Sequence, residues 1–158
     1  MISLNTLSGL ISAESVEKCV YAVENAGVFG DLVRRISRSA KLMLVCTGGQ
    51  PHLATLVLLD LLCRQGCNIY YAGDFDPEGL RIAQNLKNRY GDALEFWHYE
   101  KEAFMQCISE VLLTQKRLKK LDKLEDEKLV LIGELIKLHG KVAYQENLID
   151  WYMKDMGR

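Results

Sequence analysis

Two aspartates stand one residue apart at the end of an apolar segment of the chain. Asp74 and Asp76 follow the apolar residues 69–72 and come directly before Pro77. Side chains alternate along a strand, so the two carboxylates lie on the same side if strand geometry persists to Asp76. Carboxylates held side by side repel each other, and a hard divalent cation relieves that repulsion. The segment therefore predicts a Mg²⁺ site at the end of a strand.

The residues after the two aspartates predict a turn into a helix. Pro77 lacks an N–H and has a fixed φ, so it ends a strand but suits the first turn of a helix. Gly79 lets another group approach the backbone closely. Glu78 is either a fourth acidic group or a charge favoured at a helix N-terminus. Arg81, one turn into this helix, is a candidate phosphate ligand because of its position.

The elements that must position these residues alternate between strand and helix. Apolar runs at residues 19–23, 42–46 and 68–73 are typical of buried parallel strands, and residues 94–98 predict a fourth, more exposed strand. Helical spacing covers residues 28–39, 52–64 and 80–89. This alternation predicts an α/β, Rossmann-like fold with a mainly parallel four-stranded sheet. Residues 1–10 carry a weak signal for a short edge strand.

The character of the chain changes after residue 100. Residues 103–113, 126–138 and 142–153 have the pattern of three amphipathic helices, and residues 115–123 are the most basic part of the chain. We therefore divide the chain into an α/β domain, residues 1–100, and a C-terminal helical extension, residues 101–158, packed on the same domain.

Polar or glycine-rich turns follow three of the predicted strands. Glu24 closes the first strand, Gly48 and Gly49 follow the second, and the two aspartates follow the third. Ligands of open α/β sheets gather outside the carboxyl ends of the strands. Glu24 would join Asp74 and Asp76 if the first and third strands are close, and the amides of Gly48 and Gly49 would be free to bind an anion. Each motif alone is weak, and their order along the chain gives them weight.

The overall composition limits the possible partners. The 20 Lys and Arg residues and 21 Asp and Glu residues give a net charge of −1, so no global positive field attracts nucleic acid and any contact rests on local patches. Five cysteines without Cys-x-x-Cys spacing favour a reducing cytoplasm over a disulfide framework. The chain shows neither a signal-peptide pattern nor an apolar run that predicts a membrane helix.

The order of these motifs resembles the Toprim domain, the metal-binding catalytic module of topoisomerases, bacterial primases and several nucleases. The matching residues are Glu24, Asp74 and Asp76, and the Asp-x-Asp-Pro-x-Gly form of residues 74–79 looks most like the A subunit of topoisomerase VI. Together with the turn at residues 46–51, these motifs are similar to a bacterial Toprim-like family of unknown function. That family is found at the C-terminus of longer proteins and is akin to the nuclease subunit of Wadjet anti-plasmid systems. The resemblance covers about residues 15–100 and, more loosely, the helical tail.

The resemblance implies a Mg²⁺-dependent (or Mn²⁺-dependent) module that acts on nucleic-acid phosphodiesters, as a DNA nuclease within a larger protein or complex. Asp74 and Asp76 would hold the metal, and Glu24 would be a ligand or the general acid/base. Gly48, Gly49 and Arg81 would bind phosphate. DNA and an upstream domain or partner protein are the implied partners, with no membrane.

Two features depart from that family pattern. Asn25 stands where many Toprim domains have glycine after the first glutamate. Topoisomerases also attack DNA with a tyrosine on a separate winged-helix domain, for which this chain has no room, so strand passage by this chain alone is not expected.

Other functions remain in competition with the nuclease. The main rival is a catalytically silent, Toprim-shaped scaffold or regulatory module, because a free-standing DNA enzyme usually shows a basic face. A phosphoacceptor receiver domain fits poorly, since it needs an acidic pair after the first strand and a late lysine. A dinucleotide enzyme is disfavoured because no Gly-x-Gly-x-x-Gly motif follows the first strand. Cleavage by the isolated chain discriminates the nuclease from the scaffold.

Overall fold

Four parallel strands form the central sheet of the computed structural model, which describes residues 15, 17–36 and 41–157. In chain order, the strands are β1 (Cys19–Val23), β2 (Leu44–Cys46), β3 (Asn68–Ala72) and β4 (Leu94–Phe96). Their order across the sheet is β2-β1-β3-β4. Val23 pairs with Cys46 on one side and with Ala72 on the other, so three strands end level. The predicted α/β class with a four-stranded parallel sheet is confirmed.

Each of the first three strands is followed by a helix: α1 (Ala26–Arg35), α2 (Leu53–Arg64) and α3 (Pro77–Tyr90). Helix α1 begins two residues earlier than predicted because the Asn25 side chain accepts hydrogen bonds from the amides of Gly27 and Val28. It ends at Arg35, and the predicted continuation falls partly outside the described residues. Helix α3 begins three residues early, with Pro77 in its first turn and Asp76 as its N-cap.

The C-terminal region contains two strands where the sequence predicted only helices. It comprises α4 (Lys101–Cys107), β5 (Ile108–Leu112), α5 (Gln115–Leu118), a 3-10 turn (Lys119–Lys123), α6 (Glu127–His139), β6 (Lys141–Ala143), a second 3-10 turn (Gln145–Leu148) and α7 (Ile149–Asp155). The middle helix is confirmed. The first and third predicted helices are wrong in part, because β5 and β6 pair antiparallel. Helical spacing in the sequence could not reveal a pairing between segments so far apart.

One hydrogen-bonded bridge joins this strand pair to the loop after β3. The Phe75 amide donates to the Ala143 carbonyl at 2.8 Å, and the Ala143 amide returns a bond to the Phe75 carbonyl at 3.1 Å. Strand β6 is thereby held beside the two aspartates, which lie on either side of Phe75. The C-terminal region is therefore part of the surroundings of the candidate site.

A single hydrophobic core includes side chains from both predicted parts of the chain. Leu32, Ile69 and Leu80 from the first part share it with Phe104 and Ile136 from the second, and all five are fully buried. The boundary between residues 100 and 101 stays a prediction. The possible edge strand in residues 1–10 lies outside the described residues. No described helix is long and apolar enough to cross a membrane.

Candidate functional site

Glu24 and Asp74 meet because β1 and β3 are neighbours that end at the same level. The Glu24 amide donates to the Ala72 carbonyl at 2.9 Å, which extends the ladder by one residue. Its side chain then reaches across, and the Asp74 amide donates to Oε2 of Glu24 at 3.3 Å. The sequence predicted this meeting on the condition that the first and third strands are close, and the sheet order meets that condition.

Both carboxyl groups titrate far above their ordinary range. Burial, followed by the charge of Asp74, raises the pKa of Glu24 to about 7. Burial, followed by the charges of Glu146 and Asp76, raises the pKa of Asp74 to about 6, although a backbone hydrogen bond from Gln145 partly opposes the shift. A carboxyl group with a pKa near neutrality can both take up and release a proton at physiological pH, which general acid/base catalysis requires.

The third predicted acid, Asp76, is engaged by other groups. Its Oδ1 accepts a hydrogen bond of 2.7 Å from the Gly79 amide, which caps α3. Its Oδ2 lies 2.7 Å from Nη2 of Arg117, which also binds Oε2 of Glu78 at 2.5 Å. Among the residues that the structure describes, no group of three or more His, Cys, Asp or Glu side chains is arranged to hold a metal ion. The expected three-carboxylate cluster is thus incomplete.

The glycines of the β2 turn are bonded within the protein. The Gly48 and Gly49 amides donate to the Glu24 carbonyl at 3.1 and 3.3 Å, and φ values of +67° and +79° suit glycine at both positions. The expectation that these amides are free is therefore wrong, and phosphate binding by Gly48 and Gly49 stays a prediction. Arg81 is exposed and forms no ion pair with any described residue, so it remains available to an anion.

Two residues to which the sequence assigned no role border the site. The Gln145 amide donates to Oδ1 of Asp74 at 2.9 Å, across 71 residues of chain. Oε1 of Glu146 accepts a 2.7 Å hydrogen bond from the side chain of Asn25, the neighbour of Glu24. The Gln145 side chain is fully buried, and neither its oxygen nor its nitrogen has a well-formed hydrogen bond to a described residue. No pattern in the neighbouring sequence identifies these residues, because only the pairing of β6 brings them to the site.

Tyrosine hydroxyls enclose the space beneath Glu24. A β-carbon added at Gly73 would lie 2.6 Å from Oε2 of Glu24, 3.0 Å from the Tyr99 hydroxyl and 3.1 Å from the Tyr71 hydroxyl. Burial is the main cause that raises the pKa of both tyrosines well above the ordinary value. Neither hydroxyl has a hydrogen-bond partner of good geometry among the described residues. Gly73 keeps this small polar space open.

The donor chemistry at this edge fits a hard divalent cation in part. Glu24 and Asp74 present carboxylate oxygens, the ligand type that Mg²⁺ and Mn²⁺ prefer, and burial raises the pKa of both groups. Asp76 fits as a third ligand only when its Oδ2 is released from Arg117. A three-carboxylate site for such an ion would therefore require that ion pair to open.

Comparison with known proteins identifies a family but no activity. Residues 2–156 match the family model described as Protein of unknown function C-terminus (DUF2399). A search of curated proteins finds no match for the chain. The match spans nearly the whole sequence of 158 residues.

Proposed function

The chain belongs to the DUF2399 family, which is described as a C-terminus of unknown function, and we propose from its site that it is a Toprim-type, Mg²⁺-dependent module that hydrolyses nucleic-acid phosphodiesters. In this proposal the module is the DNA nuclease part of a larger protein or complex. The observation that carries the proposal is the meeting of Glu24 and Asp74 at the carboxyl ends of two adjacent parallel strands. Ligands bind at this edge of open α/β sheets.

Each acid has a separate task in this proposal. Asp74 would hold the metal, with its carboxylate oriented by the Gln145 amide. Asp76 would be a second ligand if its ion pair with Arg117 opened. Glu24 is the acid/base group: its pKa of about 7 lets it take a proton from an attacking water or return one to a leaving oxygen. Arg81, and the glycines Gly48 and Gly49 if their bonds to Glu24 open, would contact the substrate phosphates.

A bound Mg²⁺ or Mn²⁺ would neutralise charge on the phosphate oxygens and make a water molecule more acidic. The protein contributes the rest by holding its acids in a partly buried position, where their electrostatic effect on the phosphate is stronger than in open water. Deep burial also keeps the tyrosines near Glu24 neutral, because it raises the pKa of Tyr71 and Tyr99. Both hydroxyls and the Oε2 atom of Glu24 border the same space beside Gly73.

Nicking of supercoiled plasmid tests the proposal. We expect slow, sequence-indifferent nicking with Mn²⁺ at high protein concentration, and loss of that nicking in Glu24→Ala and Asp74→Ala. Asp92→Asn is the matched control, because Asp92 is an exposed acid that precedes β4 and so lies toward the opposite edge of the sheet. Nicking that survives both site substitutions would assign the activity to a contaminant or to another site.

A silent scaffold is the second candidate, and two observations favour it. The net charge of −1 gives no general attraction to DNA. Arg117 also occupies one of the three proposed ligand residues. Metal binding without nicking under any divalent ion would favour the scaffold over the nuclease.

A further inference from the structure

Arg117 forms the most extensive set of ion pairs at the candidate site. Its Nη2 lies 2.7 Å from Oδ2 of Asp76 and 2.5 Å from Oε2 of Glu78, and its Nε lies 3.1 Å from the same Glu78 oxygen. Lys120 contacts the other Glu78 oxygen at 2.7 Å. One guanidinium therefore bridges the second aspartate of the Asp-x-Asp motif and the first turn of α3.

The backbone around Arg117 holds this guanidinium near the acids. The Thr114 hydroxyl caps α5 by accepting from the Arg117 amide. Leu121, four residues later, is 4% exposed and packs in the core. Asp122 next to it forms an ion pair with Lys137 of α6. The backbone of Arg117 is thus anchored, and rotation of its side chain alone can form or break the ion pair with Asp76.

A metal ion and Arg117 compete for the same carboxylate oxygen. Oδ1 of Asp76 is already bound by the Gly79 amide, so Oδ2 is the atom that remains for a cation. A guanidinium and a divalent ion that share one oxygen would repel each other at close range. The Arg117 side chain is 34% exposed and that of Asp76 is 21% exposed. Both charges therefore stay in contact with solvent when the ion pair separates.

We propose that Arg117 is the internal counter-cation of this site: it neutralises Asp76 in the metal-free protein and, when a divalent ion takes Asp76, turns to a phosphate of the bound nucleic acid. The second half rests on the proposed function, whereas the first half concerns the metal alone. Arginine suits both positions, since its planar fork binds a carboxylate or a phosphate with two parallel hydrogen bonds.

Metal titration of the 158-residue chain tests the first half. We expect Arg117→Gln to bind Mn²⁺ about 2- to 5-fold more tightly than the wild type, the range that corresponds to loss of a competing exposed ion pair. Lys120→Gln is the matched control, because it removes the same charge from the same cluster without touching Asp76. Its affinity should stay within about 1.5-fold of the wild type. Equal gains in both variants, or no gain in Arg117→Gln, would overturn the proposal.

A second variant, Arg117→Lys, keeps the proposal testable if Arg117→Gln does not fold. Arg117→Lys keeps the charge but cannot form the two-pronged contact, so its Mn²⁺ affinity should lie between those of the wild type and Arg117→Gln. Thermal melting followed by circular dichroism checks that each variant is folded. If Arg117→Gln does not fold, Arg117→Lys decides the question, and an affinity equal to that of the wild type would overturn the proposal.

Oligonucleotide binding with EDTA or with Mn²⁺ tests the second half. Arg117→Gln should weaken binding of a short duplex when Mn²⁺ is present and leave it unchanged in EDTA, because only the released guanidinium reaches phosphate. An equal loss of oligonucleotide affinity in EDTA and in Mn²⁺ would overturn the second half of the proposal. Failure of the proposed function is distinguishable: Mn²⁺ would still bind more tightly to Arg117→Gln than to the wild type, but plasmid would not be nicked with any divalent ion. Binding that appears only in Arg117→Gln would support the counter-cation.

Discussion

The Asp74 amide donates a hydrogen bond of 3.3 Å to Oε2 of Glu24, which lies 50 residues earlier in the chain. The contact brings together the acidic residues that follow two adjacent strands. It also leaves the Asp74 carboxylate close enough for its charge to act on Glu24, and the pKa of Glu24 rises to about 7 through burial and the Asp74 charge.

Divalent metal should bind at Asp74 and Asp76. Calorimetry should show Mg²⁺ or Mn²⁺ binding that weakens by about tenfold or more in Asp74→Ala and in Asp76→Ala, the equivalent of at least ~1.4 kcal/mol for a lost ligand. Asp92→Asn should bind as the wild type does. Titrations of the wild type and both site variants that superimpose would exclude this metal site.

Removing the Asp74 charge should stabilise the metal-free protein. Asparagine keeps an oxygen that can accept from the Gln145 amide while it removes the buried charge. We expect Asp74→Asn to gain roughly 1–2 kcal/mol at pH 8, about 2–8 °C in Tm for a domain of this size. An unchanged or lower Tm in EDTA would show that Asp74 is a structural cap.

The metal-free protein should lose stability as pH rises from about 5 to 8. The raised pKa values, about 7 for Glu24 and about 6 for Asp74, mean that the folded state binds more protons than the unfolded state in this window. The free energy of unfolding therefore falls with rising pH, on the order of a few kcal/mol in total. Glu78 does not interfere: its burial is outweighed by Arg117 and Lys120, which lower its pKa to about 2.

Urea unfolding at several pH values checks this dependence. The double variant Glu24→Gln, Asp74→Asn should show a flatter profile between pH 5 and pH 8, because neither group then titrates. Saturating Mg²⁺ should raise the free energy of unfolding of the wild type at pH 8 and should leave that of the double variant unchanged. Identical slopes in the wild type and the double variant would contradict the assignment.

Gly79 should tolerate no side chain. A β-carbon there would overlap the Asp74 carbonyl oxygen and would lie 3.3 Å from Oδ1 of Asp76. We expect Gly79→Ala to cost about 1–3 kcal/mol in chemical denaturation, as overpacking of a close contact does. Gly30→Ala in α1 is the control, since its β-carbon would meet only the Arg34 side chain at 3.4 Å. That change should be neutral or stabilising by about 0.5–1 kcal/mol.

DNA binding by this chain should be weak and strongly dependent on salt. Lys116, Lys119 and Lys123 of the basic segment are exposed, whereas Arg117 and Lys120 are paired with acids. Three phosphate contacts correspond to a slope of about −3 in log K against log salt for duplex DNA. Anisotropy titrations at several salt concentrations measure the slope. A slope near zero would show that these lysines do not contact phosphate.

The sequence by itself determined the α/β architecture and the positions of the acids along it. Continuous apolar runs of five or so residues are typical of strands buried on both faces, and helical spacing between them implies parallel crossovers. Residues that follow such strands must lie at the carboxyl edge, so the sequence assigned Glu24 and Asp74 to the same edge and predicted their meeting on the condition that the first and third strands are close. Local turn chemistry, such as Pro77 before Gly79, fixed the helix start within three residues.

Only the tertiary structure decided which groups surround those acids. Arg117, Gln145 and Glu146 reach the site across 41, 71 and 121 residues from their partners Asp76, Asp74 and Asn25. They arrive because β5 and β6 pair with each other and β6 bonds to Phe75, contacts that leave no mark in local periodicity. A short helix and a short strand can have similar local sequence patterns. Hydrogen bonds between segments that are distant in the chain decide which of the two forms.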